Sequence, residues 1–441
     1  MTISEVMMTR IRYPWFFAAL AAGALVIHCS SSGTSAPSSG GPGLASGGAP
    51  KVADSSADAI ADGATSACGG LTSCGGACVD VTSDNTNCGA CGRSCGGSAC
   101  GAGACKPTAL GGMGQSLNST LTSLIALGGN VYWEDYIIAN GNGSGEIYCV
   151  SGTDGSSCSN KPQPGTDGSV FTLDATNFYI ATPAQAPGNS ETQLDRFAIS
   201  NGSISVMMNL NANSYYGEQV PSGLTVDATT IYWIDSSQFG GGVNTVPLNT
   251  MSPCQLGQLC AQDPRTSLGG PASGKVVVDA HYVYWMGISA AGNGNTLYAS
   301  VMQCAKTGCA GMPTPLSAKF SGVGYLYLAV DGDAVYWFQN STAAPGIYKC
   351  AATGCGGNPT IVASVKHLSG LAVDATSVYW ADADNGNVSR CASTGCNGPP
   401  MVLAGGQQFT NEFAVDAKNV YWVSVVNNGK GTGNQVFKVA K

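Results

Sequence analysis

Charge is scarce in this chain of 441 residues, of which only 10% are Asp, Glu, Lys or Arg. The 18 Lys and Arg are scattered rather than clustered, and the net charge is −8. A surface that tracks phosphates needs a concentrated basic face, so nucleic acid is excluded as a partner. Histidine is scarcer still, with three copies: His28, His281 and His367. None has a neighbouring motif that would complete a Ser/His/Asp or Cys/His set, so the chain reads as no enzyme. A long apolar run is missing too. The stretch from Trp15 to Ile27 falls short of the roughly 20 apolar residues that a spanning helix needs. The Gly-rich segments 141–145 and 429–433 lack a following helix that could cradle a phosphate, which makes them loops and leaves no cofactor site.

What the chain has instead is glycine, 62 residues of it, with an apolar fraction of 44% that is ordinary for a globular protein. It can bury a core while solvating itself with Ser, Thr, Asn and Gly. Residues 1–29 read as an export signal, with Arg10 and Arg12 ahead of the apolar stretch. The segment Val26-Ile27-His28-Cys29 resembles a bacterial lipobox, although His28 stands where that pattern has a small residue. The resemblance implies lipidation of Cys29, the alternatives being simple secretion and an uncleaved anchor. Residues 30–67 are almost wholly Ser, Gly, Ala, Pro and Asp, too polar to offset the entropy of ordering, and read as a disordered tether. The expected location is an outer-membrane or cell-surface lipoprotein, touching the membrane through its lipid only, or otherwise a secreted protein.

Cysteine is abundant, at 19 residues. With Cys29 set aside the number is even, as disulfide pairing in an oxidising compartment requires. Eight fall in residues 68–105, where apolar residues are too few for a core and cross-links must hold the chain. Cys74, Cys78, Cys88 and Cys91 have spacing compatible with zinc, but an exported chain meets disulfide-forming conditions first, and no metal is expected. Asp84-Asn85-Thr86-Asn87-Cys88-Gly89-Ala90-Cys91-Gly92 resembles a Cys-rich module common in secreted and lipid-anchored proteins of myxobacteria, which implies location rather than activity. The other ten form close pairs: Cys149/Cys158, Cys254/Cys260, Cys304/Cys309, Cys350/Cys355 and Cys391/Cys396. Three pairs enclose a Thr-Gly tip, a hairpin turn in which Gly supplies positive φ.

A repeat sets the fold. Val131-Tyr132-Trp133, Ile231-Tyr232-Trp233, Val283-Tyr284-Trp285, Val335-Tyr336-Trp337, Val378-Tyr379-Trp380 and Val420-Tyr421-Trp422 recur, with Phe178-Tyr179-Ile180 a degenerate seventh copy, at spacings of 42 to 53 residues. That is the length of a propeller blade. Three consecutive large apolar residues would bury both faces of a strand, as happens when each blade is covered on both sides, with Tyr packed on one neighbour and Trp on the other. Five residues before the Tyr stands Asp174, Asp227, Asp279, Asp331, Asp374 or Asp416; the first copy has Leu127 there. The expected role of these Asp is to accept hydrogen bonds from backbone N–H groups of the following turn. These copies resemble the YWTD repeats of low-density-lipoprotein-receptor-type propellers, which implies a propeller used for protein contacts.

The predicted architecture is therefore all-β: a seven-bladed propeller of four-stranded antiparallel blades over residues 106–441, behind the disulfide-rich module of 68–105. The last repeat lacks an outer strand, and Pro107–Gly112 repeats the outer-strand pattern, so this N-terminal segment is expected to lie antiparallel beside Gln435–Val439 and close the ring. Asp382–Asn387 resembles the start of a calcium loop, but its Gly is misplaced and no twelfth-position Glu follows, which favours a turn. The expected function is a monomeric binding or structural scaffold for a protein, peptide or glycan. Tyr136, Tyr215, Tyr216, Phe239 and Phe409 are its candidate binding face, since exposed aromatics are enriched where partners dock. The alternative is a hydrolase or lyase with a metal in the propeller channel, which a cluster of inward carboxylates or imidazoles would favour.

Overall fold

The structure, a computed structural model, describes residues 68–110, 119–139, 142–158, 170–183, 192–209, 221–235, 242–250, 266–269, 272–290, 297–321, 326–332, 334–341, 343–427 and 432–441. Residues 1–67, which include Cys29, and Cys254 and Cys260 lie outside them. The described residues belong to one compact unit.

The chain folds as a seven-bladed β-propeller. Blade 6 displays the plan: Leu368–Val373, Ser377–Asp382, Asn387–Ala392 and Met401–Ala404 pair in sequence order, each antiparallel to the next, from the channel outward. Blades 2 to 5 repeat it, and blade 1 shows three strands among the described residues. Blade 7 is built from Phe409–Val415, Asn419–Asn427 and Thr432–Ala440, and its fourth strand is Thr108–Ala109 from the other end of the propeller sequence. Thr108 pairs with Lys438 and Ala109 with Phe437, while the Leu110 N–H donates to the Val436 carbonyl at 3.0 Å. The expected closure of the ring is thus present over residues 108–110.

The Val-Tyr-Trp strand sits at the centre of each blade because all its side chains find apolar cover. Seven apolar clusters lie between successive blades, and the Tyr of one blade packs with the Trp of the next: Tyr179 with Trp233, Tyr232 with Trp285, Tyr284 with Trp337, Tyr336 with Trp380 and Tyr379 with Trp422. Tyr421 of blade 7 meets Trp133 of blade 1, which closes the circle. In the degenerate copy Ile180 occupies the Trp place beside Tyr132. The six Trp are at most 2% exposed, so each withdraws about 200 Å² from water, or roughly 5 kcal/mol of gross hydrophobic stabilisation.

The Cys-rich segment is held by Cys68–Cys78, Cys74–Cys91, Cys88–Cys100 and Cys95–Cys105. All eight sulfurs are oxidised, so the zinc-like spacing serves disulfides. Cys88, Cys95 and Cys105 join the cluster between blades 6 and 7. Arg93, 7% exposed, donates from Nη2 to the Leu403 carbonyl at 3.0 Å and from Nη1 to the Cys88 carbonyl at 3.0 Å, and so pins the segment to the outer strand of blade 6. Burial, and then the charge of Arg390, lower its pKa to about 10. Within the propeller Cys149–Cys158, Cys304–Cys309, Cys350–Cys355 and Cys391–Cys396 are bonded. So many disulfides belong in an oxidising environment.

Candidate functional site

Two ends of the ring can be distinguished by connectivity. Turns between inner and second strands lie at one end; loops between second and third strands, and the links between blades, lie at the other.

The first end carries the repeated Asp. Asp174, Asp227, Asp279, Asp374 and Asp416 do more than hold their turns. In blade 6 the Asp374 Oδ1 accepts the N–H groups of Thr376 and Ser377 at 2.9 and 3.0 Å, while Oδ2 accepts the Tyr379 hydroxyl at 2.9 Å. The same Tyr-to-Asp bond recurs at Tyr179–Asp174, Tyr232–Asp227, Tyr284–Asp279 and Tyr421–Asp416, at 2.6 to 2.9 Å. In blade 1, where Leu127 replaces Asp, Asn130 Nδ2 donates to the Tyr132 hydroxyl at 3.2 Å. Burial, reinforced by the neighbouring carboxylate, pushes Tyr179, Tyr232, Tyr284 and Tyr421 well above the ordinary phenol value, and Tyr379 to about 12. Burial opposes ionisation of Asp374, yet the Lys441 ammonium at 2.5 Å and the turn N–H groups hold it below the usual carboxylate range. Lys306 meets Asp227 at 2.6 Å in the same way. Residues opposite the Tyr, on the third strand, reach the following blade: Gln303 donates to the Ala352 carbonyl at 2.7 Å, Lys349 to Ser393 at 3.2 Å and Lys438 to Gly152 at 2.6 Å. This end is engaged in holding the ring together.

The inner strands frame a central cavity of about 540 Å³. Several carry a β-bulge in their first half, with Ser123, Gly223 and Gly274 in the left-handed region at φ 58°, 60° and 83°. Gly is required at 223, where an added Cβ would lie 2.6 Å from the Gly274 carbonyl oxygen of the next blade. The lining is chiefly apolar, from Leu124, Leu224, Val276, Leu328 and Phe413 among others. Two charged side chains enter it. Lys275 of blade 4 and Glu412 of blade 7 approach to 3.6 Å, and Glu412 Oε2 also accepts the Leu124 N–H at 2.9 Å. Both charged residues stand four positions before the repeat Asp, where the other copies have Ser123, Val170, Gly223, Tyr327 and Gly370. Two opposite charges at one repeat position otherwise free of charge were a signal the sequence carried, and alignment of the copies would have found them.

Of the five aromatic residues expected at a binding face, Phe409 alone has a described side chain. Tyr215, Tyr216 and Phe239 lie outside the described residues, as does the side chain of Tyr136. Phe409 is half-buried, edge-on to Trp422 at 6.5 Å. His281 lies in the Asp279 turn, and exposed His367 places Nδ1 2.6 Å from Asp384 Oδ1. Asp382 accepts from Asp384 N–H and Asn385 Nδ2, so the calcium-like segment is a strand-connecting turn. Among the described lining residues Glu412 is the one carboxylate and no imidazole occurs, which does not make the ligand set of a channel metal. Among the described residues the one cluster of metal-ligating residue types, Cys88, Cys95 and Cys105, is consumed by disulfides.

No protein-family model and no curated protein matches the chain. Solved structures do. The β-propeller domain of the Trilobed protease from Pyrococcus furiosus, described as having an open velcro topology, is similar at a TM-score of 0.50 and 10% identity over 73% of this chain and 95% of that one. An acylaminoacyl peptidase from Pyrococcus horikoshii gives a TM-score of 0.46 at 10% identity, covering 72% of this chain and 52% of that one. A nidogen/laminin complex gives 0.36 at 13% identity, covering 65% of this chain and 93% of that one. The first likeness establishes the propeller fold. It also corrects the reading of the chain as no enzyme: the similar propeller is a domain of a protease, so the lack of a nucleophile motif does not place the chain outside hydrolases.

Proposed function

We propose that the chain is an exported protein, anchored through lipid on Cys29, that carries on its tether a propeller binding its ligand at the centre of the ring. The observation that carries this reading is the cavity: apolar walls, a single ion pair, and a frame of inner strands held rigid by interblade clusters on every side. Sites of this size with few placed polar groups are where proteins take small ligands or the end of a larger one. The lipobox-like Cys29 and the disulfides support the location, and the resemblance of the repeats to YWTD propellers supports a role in recognising a protein, peptide or glycan.

Two experiments test the reading. Intact mass of the membrane fraction is expected to show an acylated N-terminal Cys, and a soluble product cleaved downstream of Cys29 overturns the anchor. A screen of the purified protein against peptides and glycans is expected to yield ligands whose binding Leu224→Trp, which fills the cavity, abolishes. Ligands that bind the folded variant undiminished place the site elsewhere.

A further inference from the structure

The two charges in the cavity are not equivalent. Glu412 is fixed: its side chain is 13% exposed, and its Oε2 is held by the N–H of Leu124, itself set by the left-handed turn at Ser123. Lys275 is not fixed. Its side chain is 54% exposed, and its 3.6 Å approach to Glu412 is longer than the roughly 2.8 Å of a charge-assisted hydrogen bond. Blades 4 and 7 stand across the channel from each other, so the Lys275 side chain spans the cavity like a bar resting on a fixed stop. A ligand entering between them meets an anchored anion and a displaceable cation. A second anion would have to overcome Glu412, whereas a second cation only has to replace an ammonium that returns to water at little cost.

Resting on the reading of the cavity as the ligand site, we propose that it binds an apolar group bearing a free ammonium, which displaces Lys275 and pairs with Glu412 while Leu224, Val276, Leu328 and Phe413 cover the apolar body. That chemistry is met both by a small amine and by the amino end of a peptide with apolar first residues.

The test uses the full chain and four probes by titration calorimetry and NMR: phenethylamine, its N-acetyl derivative, phenylpropionate, and a Leu-Phe-Leu amide with a free amino end. Phenethylamine or the peptide is expected to bind, the one that binds tighter identifying the source, and the N-acetyl derivative and the carboxylate to bind at least about tenfold more weakly. Lys275→Ala is expected to tighten the amine several-fold by removing its competitor, and the isosteric Glu412→Gln to weaken it by about tenfold or more. Circular dichroism confirms that each variant is folded, and Lys275→Ala, which loses an exposed side chain, keeps the test decisive if Glu412→Gln is not. Equal binding of amine and N-acetyl derivative, or a preference for the carboxylate, overturns the charge assignment while leaving the cavity as a site. No perturbation of cavity residues by any probe overturns both.

Discussion

Raising the pH is expected to unfold this protein through its tyrosines. Five of the 17 Tyr, at 179, 232, 284, 379 and 421, are buried between blades, and each donates its hydroxyl to an Asp. In the folded protein their pKa values lie above the ordinary phenol value. In the unfolded chain they ionise near about 10. The stability they contribute is therefore complete below about pH 10 and is lost as pH rises toward the folded values, because only the unfolded state releases protons in that window. Each phenol contributes about 1.4 kcal/mol per pH unit, so five give a slope approaching 7 kcal/mol per unit. By about pH 11 some 7 kcal/mol is gone, comparable with the whole stability of an ordinary domain. Guanidinium unfolding followed by tryptophan fluorescence between about pH 8 and 11 measures the slope, and tyrosinate absorbance of the native protein counts the late-titrating groups. Tyr421→Phe should remove about one fifth of the steep limb. An unfolding midpoint that does not move between about pH 9 and 11, or a native protein whose phenols all titrate near about 10, refutes the reasoning.

Other changes follow from named contacts. Arg93→Met removes the donors that bind the Leu403 and Cys88 carbonyls; hydrogen exchange should rise at Met401–Ala404, with a loss of about 3 kcal/mol in chemical denaturation. Leu110→Ala, at a side chain 3% exposed in the closing segment, should lower stability by about 2–5 kcal/mol with the largest exchange increase in blade 7. Asp374→Asn should weaken the hold on Lys441 and flatten acid denaturation, since the lowered carboxylate contributes stability that is present above about pH 4 and lost as pH falls through its folded value.

Much of the fold was legible because a propeller is written in short range. The Val-Tyr-Trp core, the Asp turns and the Cys-x-x-x-x-Cys hairpins each fit in a few residues, and repetition turned a weak signal into a strong one. Ring closure was legible for the same reason, since Pro107–Gly112 copies an outer strand, and its residues 108–110 are seen paired to blade 7. The hydroxyl bond from Tyr379 to Asp374 is within reach of the sequence, five residues being the distance from the end of one strand to the next Tyr, although the turn alone is enough to explain the Asp. Arg93 was out of reach of pattern reading along the chain, and aligning the repeats marks Lys275 and Glu412 as charges at one position without showing that they pair. Their partners, Leu403 in blade 6 and a residue three blades away, are neighbours only after the ring has formed. Of the aromatic residues expected at a binding face, Phe409 is half-buried and packs edge-on against Trp422, a contact across strands that its place in the sequence does not announce.

The strand that closes blade 7 is made first and used last. Arg93 and Leu403 are 310 residues apart in sequence, so neither the Cys-rich segment nor Thr108–Ala109 has a partner until nearly the whole chain is available. Blades 2 to 6 can form from local contacts in any order, as repeats do, whereas closure is a single late event with the largest loop-entropy cost in the molecule. During that wait the four N-terminal disulfides keep the segment compact without a core, and it arrives at the seam between blades 6 and 7 already shaped. Folding should accordingly show two kinetic phases, a fast one within blades and a slow one that reports closure. A circular permutant with Thr108–Ala109 moved behind Lys441 should lose the slow phase and keep the same ring.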